Sequence, residues 1–176
     1  MVVELTENER RWALRFSHLW CHWRARDESS PLGGEFYLPA FLEAVVRPGP
    51  ALAWEETPES ERALFSEWRV IDQAPGSGTG ALSAVRLQSD VDPLEIWHYE
   101  RRFGPLRMDV DYLGYLDALL VTKGTYGWQY LFVDTSMRSI EHIHHVRSLT
   151  ARLDLFPRIF PDHDYAPLRA RLTERC

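Results

Sequence analysis

Hydrophobic positions along the chain recur at helical or strand-like periods between turn-rich stretches. Thr6 with Glu9 three residues later makes a capping-box pattern. Trp12, Phe16, Leu19, Trp20 and Trp23 follow at helical spacing and predict an N-terminal helix with one wide aromatic face. His18 and His22 lie four residues apart on a neighbouring face. Residues 27–35 read as a loop. Pro39 opens a short helix carrying Phe41, Leu42, Val45 and Val46, since a missing N–H costs nothing in the first turn. Arg47-Pro48-Gly49-Pro50 stops it.

Ala51–Trp54 fits a short strand. Pro58 to Ile71 carries Leu64, Phe65, Trp68 and Ile71 at helical spacing, and a strand from about Phe65 fits equally well. Residues 75–80, Pro-Gly-Ser-Gly-Thr-Gly, read as a flexible turn. Their glycine spacing does not match a phosphate-binding loop. Ala81–Leu87 and Leu94–Tyr99 are the clearest strands, joined by a loop holding Asp90 and Asp92. In the second, Leu94, Ile96 and His98 alternate with Glu95, Trp97 and Tyr99, and apolar mass on both faces marks a central strand. Arg101–Arg107 makes a turn and a further strand.

Asp109 caps a second helix, with Val110, Leu113, Leu116, Leu119 and Leu120 on one face and Tyr112 and Tyr115 flanking it. Gly124 ends it. Gly127–Val133 is compact and apolar, a strand or a short helix. Thr135 or Ser136 opens a third helix with Ile140, Ile143, Val146, Leu149 and Leu153 inward. Pro157 and Pro161 argue against regular structure across 156–161, and a last short helix spans Ala166–Leu172. Helices around a short run of strands, without strand–helix alternation, indicate an α+β fold in a single domain covering residues 1–176.

Composition narrows the function classes. Hydrophobic residues at 45% and charged residues at 26% exclude a disordered chain. A net charge of −6 argues against nucleic-acid and anionic-membrane partners. No stretch approaches the ~20 apolar residues of a membrane-spanning helix, and the N-terminal residues lack a signal-peptide pattern; a cytoplasmic protein is expected. Cys21 and Cys176 are then expected as free thiols. Among 20 basic residues only Lys123 is lysine, so positive charge is nearly all guanidinium, suited to planar pairing.

Catalytic motifs are missing. There is no Gly-x-Ser-x-Gly elbow, and Cys21 sits in an aromatic-rich helical pattern unsuited to a reactive thiolate. The pairs Glu55/Glu56, Asp90/Asp92, Asp109/Asp111 and Asp162/Asp164 are too common in an acidic chain to mark a carboxylate dyad. The remaining chemical candidate is a histidine cluster: His142 and His145 share a helix face, and with His163 they could make a metal site, while a solvated helix face is the plainer alternative. Most of the seven Trp and seven Tyr sit at core periodicity.

Two segments resemble the SUKH superfamily, cell-wall-regulator-like proteins widespread as bacterial immunity proteins. One is Leu38–Val46, a Leu-Pro opening a short apolar helix that ends at Pro48-Gly49. The other runs from the strand Leu94–Trp97 to the aromatic-led helix Tyr112–Leu120, then Thr122-Lys123-Gly124 and Gly127-Trp128-Gln129. The family's usual Asn-Gly turn is Pro48-Gly49 here, and the Arg-rich C-terminal portion has no counterpart in it. The resemblance implies helices packed around a curved, mainly antiparallel sheet, with no catalytic residues and no cofactor. It also implies a function: binding and neutralising a cognate secreted or contact-delivered toxin. An acidic protein suits a basic toxin. Glu55, Glu56, Glu59, Glu61, Asp90 and Asp92 are then the candidate contacts, with Trp54 as aromatic anchor. The competing class is a metal-dependent enzyme or metal-binding protein using His142, His145 and His163; a small-molecule sensor with an aromatic pocket is a third.

Overall fold

The computed structural model describes residues 17–26, 30, 32–89, 91 and 93–176. Its strands are β1 (His18–Arg24), β2 (Gly33–Pro39), β3 (Trp68–Gln73), β4 (Leu82–Arg86), β5 (Glu95–Glu100) and β6 (Gly104–Arg107). They form one open antiparallel sheet in chain order. Its helices are α1 (Phe41–Val46), α2 (Glu59–Glu67), α3 (Tyr112–Thr122), α4 (Ile143–Ile159) and α5 (Ala166–Arg175), with 3-10 turns at Trp128–Leu131 and Ile140–His142. This is the expected α+β architecture. Among the described residues, no helix is long and apolar enough to cross a membrane.

Strand alternation divides the core in two. Val85 and Ile96 are cross-strand partners on the front face, where they join Tyr115, Leu119, Trp128, Leu149 and Phe156 in the main core. Ala84, Trp68 and Tyr99 lie on the back face, where α2 covers them with Phe65 and Leu64. The segment Pro58–Ile71 therefore holds both elements that its pattern allowed, α2 and then β3.

A β-bulge between Val70 and Asp72 breaks the alternation of β3. It turns Asp72 to the front, in one row with Ser83 of β4 and His98 of β5. Asp72 is fully enclosed there, 2% exposed. Its carboxyl accepts from the Tyr115 hydroxyl at 2.6 Å and from the Tyr37 amide at 3.0 Å. β2 and β3 pair only through Tyr37 and Gln73, so this carboxyl completes the seam between them. A second carboxylate ties the same hairpin to the loop after β3: buried Glu35 accepts from Gly76 N at 2.5 Å and Ser77 N at 2.7 Å. The glycine-rich turn is thus anchored rather than free. At the end of α3, Gly124 adopts φ +62, and a Cβ there would lie 2.6 Å from Phe36 Cδ1, so a left-handed residue without a side chain is required.

No disulfide joins Cys21, half-buried in β1, to the exposed Cys176. Several expectations need correction. Leu19, Trp20 and Trp23 are not helical but lie in β1, fully paired with β2; residues 1–16 of the expected helix lie outside the described residues. Pairing splits the aromatic face: Leu19, Cys21 and Trp23 point to the front and Trp20 to the back. Ala51–Trp54 is irregular. Asp111, not Asp109, caps α3, accepting from Gly114 N at 2.7 Å. Asp109 instead receives Arg171 and Arg175, at 2.7 and 2.9 Å. α3 buries Tyr112, Tyr115, Ala118, Leu119 and Thr122, while Leu120 is exposed, because the aromatic stripe is the one that meets the sheet. Ile140 is likewise exposed, lying before α4.

Pro157 sits inside α4 rather than ending it. Proline removes the N–H that would meet the carbonyl of Leu153. Arg169 Nη2 of α5 takes that carbonyl at 2.9 Å and lies 3.3 Å from Asp154, so the gap is filled from the neighbouring helix.

Two outcomes test these arrangements. Arg169→Met should cost about 1 kcal/mol of stability. The cost should largely vanish in a Pro157→Ala background, where the restored N–H serves Leu153; urea unfolding of the four proteins in the cycle measures the coupling. The buried row also sets opposing pH dependences. Burial raises the Asp72 pKa to about 7, against the opposing Tyr115 bond. Burial lowers that of His98 to about 4, helped by nearby His145. Asp72 keeps a proton in the folded state that the unfolded chain loses above pH ~4, so its contribution falls as pH rises and is gone above about 7. His98 refuses a proton that the unfolded chain accepts below ~6.5, so its contribution is full above that and lost as pH falls through about 4. Asp72→Asn should therefore add an upward slope of stability with pH of up to about 1.4 kcal/mol per unit between those limits. His98→Asn should add a downward slope of like size. Unfolding midpoints against pH, compared with the parent, check both signs.

Candidate functional site

The residues between α1 and α2 form a turn built by short-range hydrogen bonds. Thr57 is buried, and its Oγ1 accepts from Trp54 N at 2.9 Å. Thr57 N in turn donates to Trp54 O at 3.2 Å. Arg62, in the second turn of α2, reaches back over the loop. Its Nε donates to Thr57 O at 2.9 Å, and its Nη2 donates to Glu55 O at 2.8 Å and to Trp54 O. One planar guanidinium thus ties three carbonyls of the turn to the helix. Leu52, just before it, packs on the back-face cluster of Phe65, Trp68, Ala84 and Tyr99.

This scaffold presents acid and one indole outward. Glu55, Glu56 and Glu59 are exposed and Glu61 is half-buried. Glu59 and Glu61 lie in the first turn of α2, where the helix dipole favours carboxylates. Among the described residues, none of the four engages an ion pair. Trp54 is 51% exposed. Five of the seven candidate contacts, Trp54, Glu55, Glu56, Glu59 and Glu61, lie on this turn and the first turn of α2; Asp90 and Asp92 lie outside the described residues.

The histidines are placed differently. His142 is buried and stacks on Phe103 at 4.4 Å between centroids. His145 lies over Tyr130 at 4.2 Å, and burial lowers its pKa against the opposing charge of Glu100. The rings of His142 and His145 are 6.2 Å apart. His163 belongs elsewhere, with its Nε2 2.7 Å from Lys123 Nζ and its ring beside Tyr165. Among the described residues, no group of three His, Cys, Asp or Glu side chains could hold a metal ion. His144 is exposed.

A cavity of about 290 Å³ opens between the sheet and α4, lined by Glu35, His98, Glu100, Tyr130 and His145 among others. Several of its polar groups are engaged with one another or with the backbone. The Tyr130 hydroxyl donates to Glu100 at 2.7 Å, and His98 Nδ1 lies 3.2 Å from Ser83 Oγ. Glu35 holds the loop after β3, and burial, which disfavours its charge, is outweighed by the Gly76 and Ser77 amides, leaving its pKa lowered. Sequence reasoning missed Glu35, Asp72 and Arg62. Asp72 had a signal, an acid directly after the apolar pair Val70-Ile71 in a strand; Glu35 and Arg62 had none, since their shortest bonds are to backbone groups.

Arg62→Ala should lower stability by about 1–2 kcal/mol through the lost carbonyl contacts. It should also make the chain cleavable after Glu55 and Glu56 by a Glu-specific protease, read as fragment mass at native temperature, whereas the parent turn resists.

No family model, curated protein or solved structure matches the chain.

Proposed function

We propose that this chain is an immunity-type protein that binds and neutralises a basic toxin through the Trp54 turn, without catalysis of its own. The observation that carries the reading is a half-exposed indole held on a tied turn, with Glu55 and Glu56 next to it in the turn and Glu59 and Glu61 in the first turn of α2, none of the four in an ion pair among the described residues. Each part has a physical role in binding a cationic protein. Unpaired carboxylates steer a basic partner during approach. An aromatic side chain is the commonest kind of anchor in an interface core. A turn already fixed by Thr57 and Arg62 loses little conformational freedom on docking. The α+β architecture is compatible with the SUKH resemblance, but a fold hosts many functions, so the reading rests on the turn.

The test is co-expression with the product of the neighbouring gene, followed by co-purification and growth. The expected result is a stoichiometric complex and rescued growth without added metal. A toxin that kills equally with and without this protein would refute the reading. Replacing Glu55, Glu56 and Glu59 together by Arg should slow association at least tenfold at low salt. The gap should narrow as ionic strength rises, because the Debye length falls to ~8 Å at physiological strength. Trp54→Ala should instead speed dissociation, costing about 2 kcal/mol or more of affinity. Stopped-flow and surface-binding kinetics separate the two effects.

A further inference from the structure

On the front of the sheet, β1 and α3 flank an apolar groove of about 560 Å³. Leu19 and Cys21 of β1, Phe36 of β2, Leu116 and Leu120 of α3, and Phe160 line it, with Asp117 and Lys123 as its charged members. Three features single out Lys123. It is the chain's one lysine. Among the described residues it is also the one non-glycine residue with positive φ, at +58, a left-handed conformation that a Cβ disfavours. Its Nζ donates to Nε2 of His163 at 2.7 Å and lies 5.4 Å from the centre of the Phe160 ring. The main chain holds it there: its N–H donates to Leu119 O, and its carbonyl accepts from Trp23 Nε1 at 2.7 Å. An arginine could supply the same positive charge over Phe160. What lysine adds is an amine that can lose its proton and attack a carbonyl. Partial burial moves the Lys123 pKa down in that direction, against the opposing charge of Asp162.

We infer that Lys123 is a carbonyl-capture site, whose amine forms an imine with an unbranched aliphatic aldehyde lying in the groove, with His163 carrying the proton. The Nζ lone pair attacks the aldehyde carbon, and a C–N bond forms as the C=O π pair moves to oxygen. His163 Nε2, already the acceptor for Nζ, takes one proton from the nitrogen and passes it to that oxygen, giving a carbinolamine. The C–O bond then breaks, and the oxygen leaves as water with the second amine proton, so that C=N remains. One aldehyde and one amine thus give one imine and one water, with no change of oxidation state. The groove sets the class of aldehyde. Its apolar lining favours a hydrocarbon chain, each buried methylene strengthening binding about fourfold. Asp117 in the lining disfavours an aldehyde that carries a carboxylate.

The test treats the intact chain with octanal and cyanoborohydride, which reduces an imine to a stable octyl-amine, and maps the adducts by peptide mass. Cys21 also lines the groove, but a thiol adduct holds no C=N bond to reduce, so the readout does not register it. Octyl should appear on Lys123 at least tenfold faster than on Nα-acetyllysine amide in the same solution. Octanal should also outpace butanal at Lys123 at least tenfold more than it does at the free amine, through its four additional methylenes. A rate equal to that of the free amine, or the same chain-length dependence, would overturn the inference and leave Lys123 an ordinary surface amine. His163→Gln keeps an acceptor for Nζ but cannot carry the proton. It should slow capture several-fold while the preference for octanal is unchanged, and an undiminished rate would overturn the role of His163. Lys123→Arg should abolish capture at this position; the mapping on the parent chain decides the question even if that variant fails to fold. No readout involves the Trp54 turn or a toxin, so this inference stands or falls separately from the proposed function.

Discussion

A carboxyl group buried at the seam between β2 and β3 is the point on which the front layer is assembled. Asp72 takes the amide of Tyr37 on one strand and the hydroxyl of Tyr115 on α3. Those two bonds join the first hairpin, the middle of the sheet and the covering helix. Backbone pairing alone would not, because β2 and β3 share a single residue pair. The group is costly in ionised form so far from water, which is why its pKa rises towards neutrality. The bulge at Val70–Asp72 is what makes the junction possible. Without it, strict alternation would send Asp72 to the back face, where α2 covers the sheet. The other ties of the hairpin follow from this placement. Trp23 Nε1 donates to Lys123 O at 2.7 Å, Glu35 N to Gly124 O at 3.0 Å, and Thr125 Oγ1 to Gly33 O at 2.8 Å. All three close the hairpin onto the turn that ends α3.

Much of the architecture was legible because it depends on local pattern. β4, β5, β6 and α5 lie where periodicity and turn residues placed them. The misreadings share a cause: tertiary contact decided between patterns that local sequence left equal. Trp20 and Trp23 suit a helical stripe, yet seven residues of pairing with β2 hold them in a strand. α3 is apolar nearly all round, so its leucines did not reveal which stripe meets the sheet; the tyrosines do, since Tyr115 reaches Asp72. Pro157 reads as a helix stop until Arg169 from another helix supplies the missing donor.

The candidate site divides in the same way. A run of glutamates around a tryptophan is visible in sequence, and its exposure follows from charge. The rigidity of the turn was not visible, because it comes from Arg62 and Thr57 bonding to main-chain atoms. The histidines show the converse. Close spacing suggested a cluster, but His142 and His145 face Phe103 and Tyr130 as packed rings, and His163 pairs with Lys123.

Arginine usage links composition to the charged surface. Among the described residues, six arginines donate to main-chain carbonyls: Arg62 across the Trp54 turn, Arg69 at the end of α2, Arg138 at the C-terminus, Arg152 on Tyr126, Arg169 in the proline gap and Arg175 on Val133. A flat, forked donor reaches several carbonyls at once, which a point-like ammonium does less well. Lysine would leave those carbonyls poorly served, so the scarcity of lysine has a structural use whatever its origin. It also has an electrostatic consequence. A cation held against the backbone is fixed in place and meets only the carboxylates within reach of that position, as Arg169 meets Asp154 and Arg175 meets Asp109. Arg62 shows the other outcome, since it bonds to the carbonyls of Trp54, Glu55 and Thr57 and pairs with none of Glu55, Glu56, Glu59 and Glu61 among the described residues. The local field of the turn is therefore set by geometry as well as by the net charge of −6.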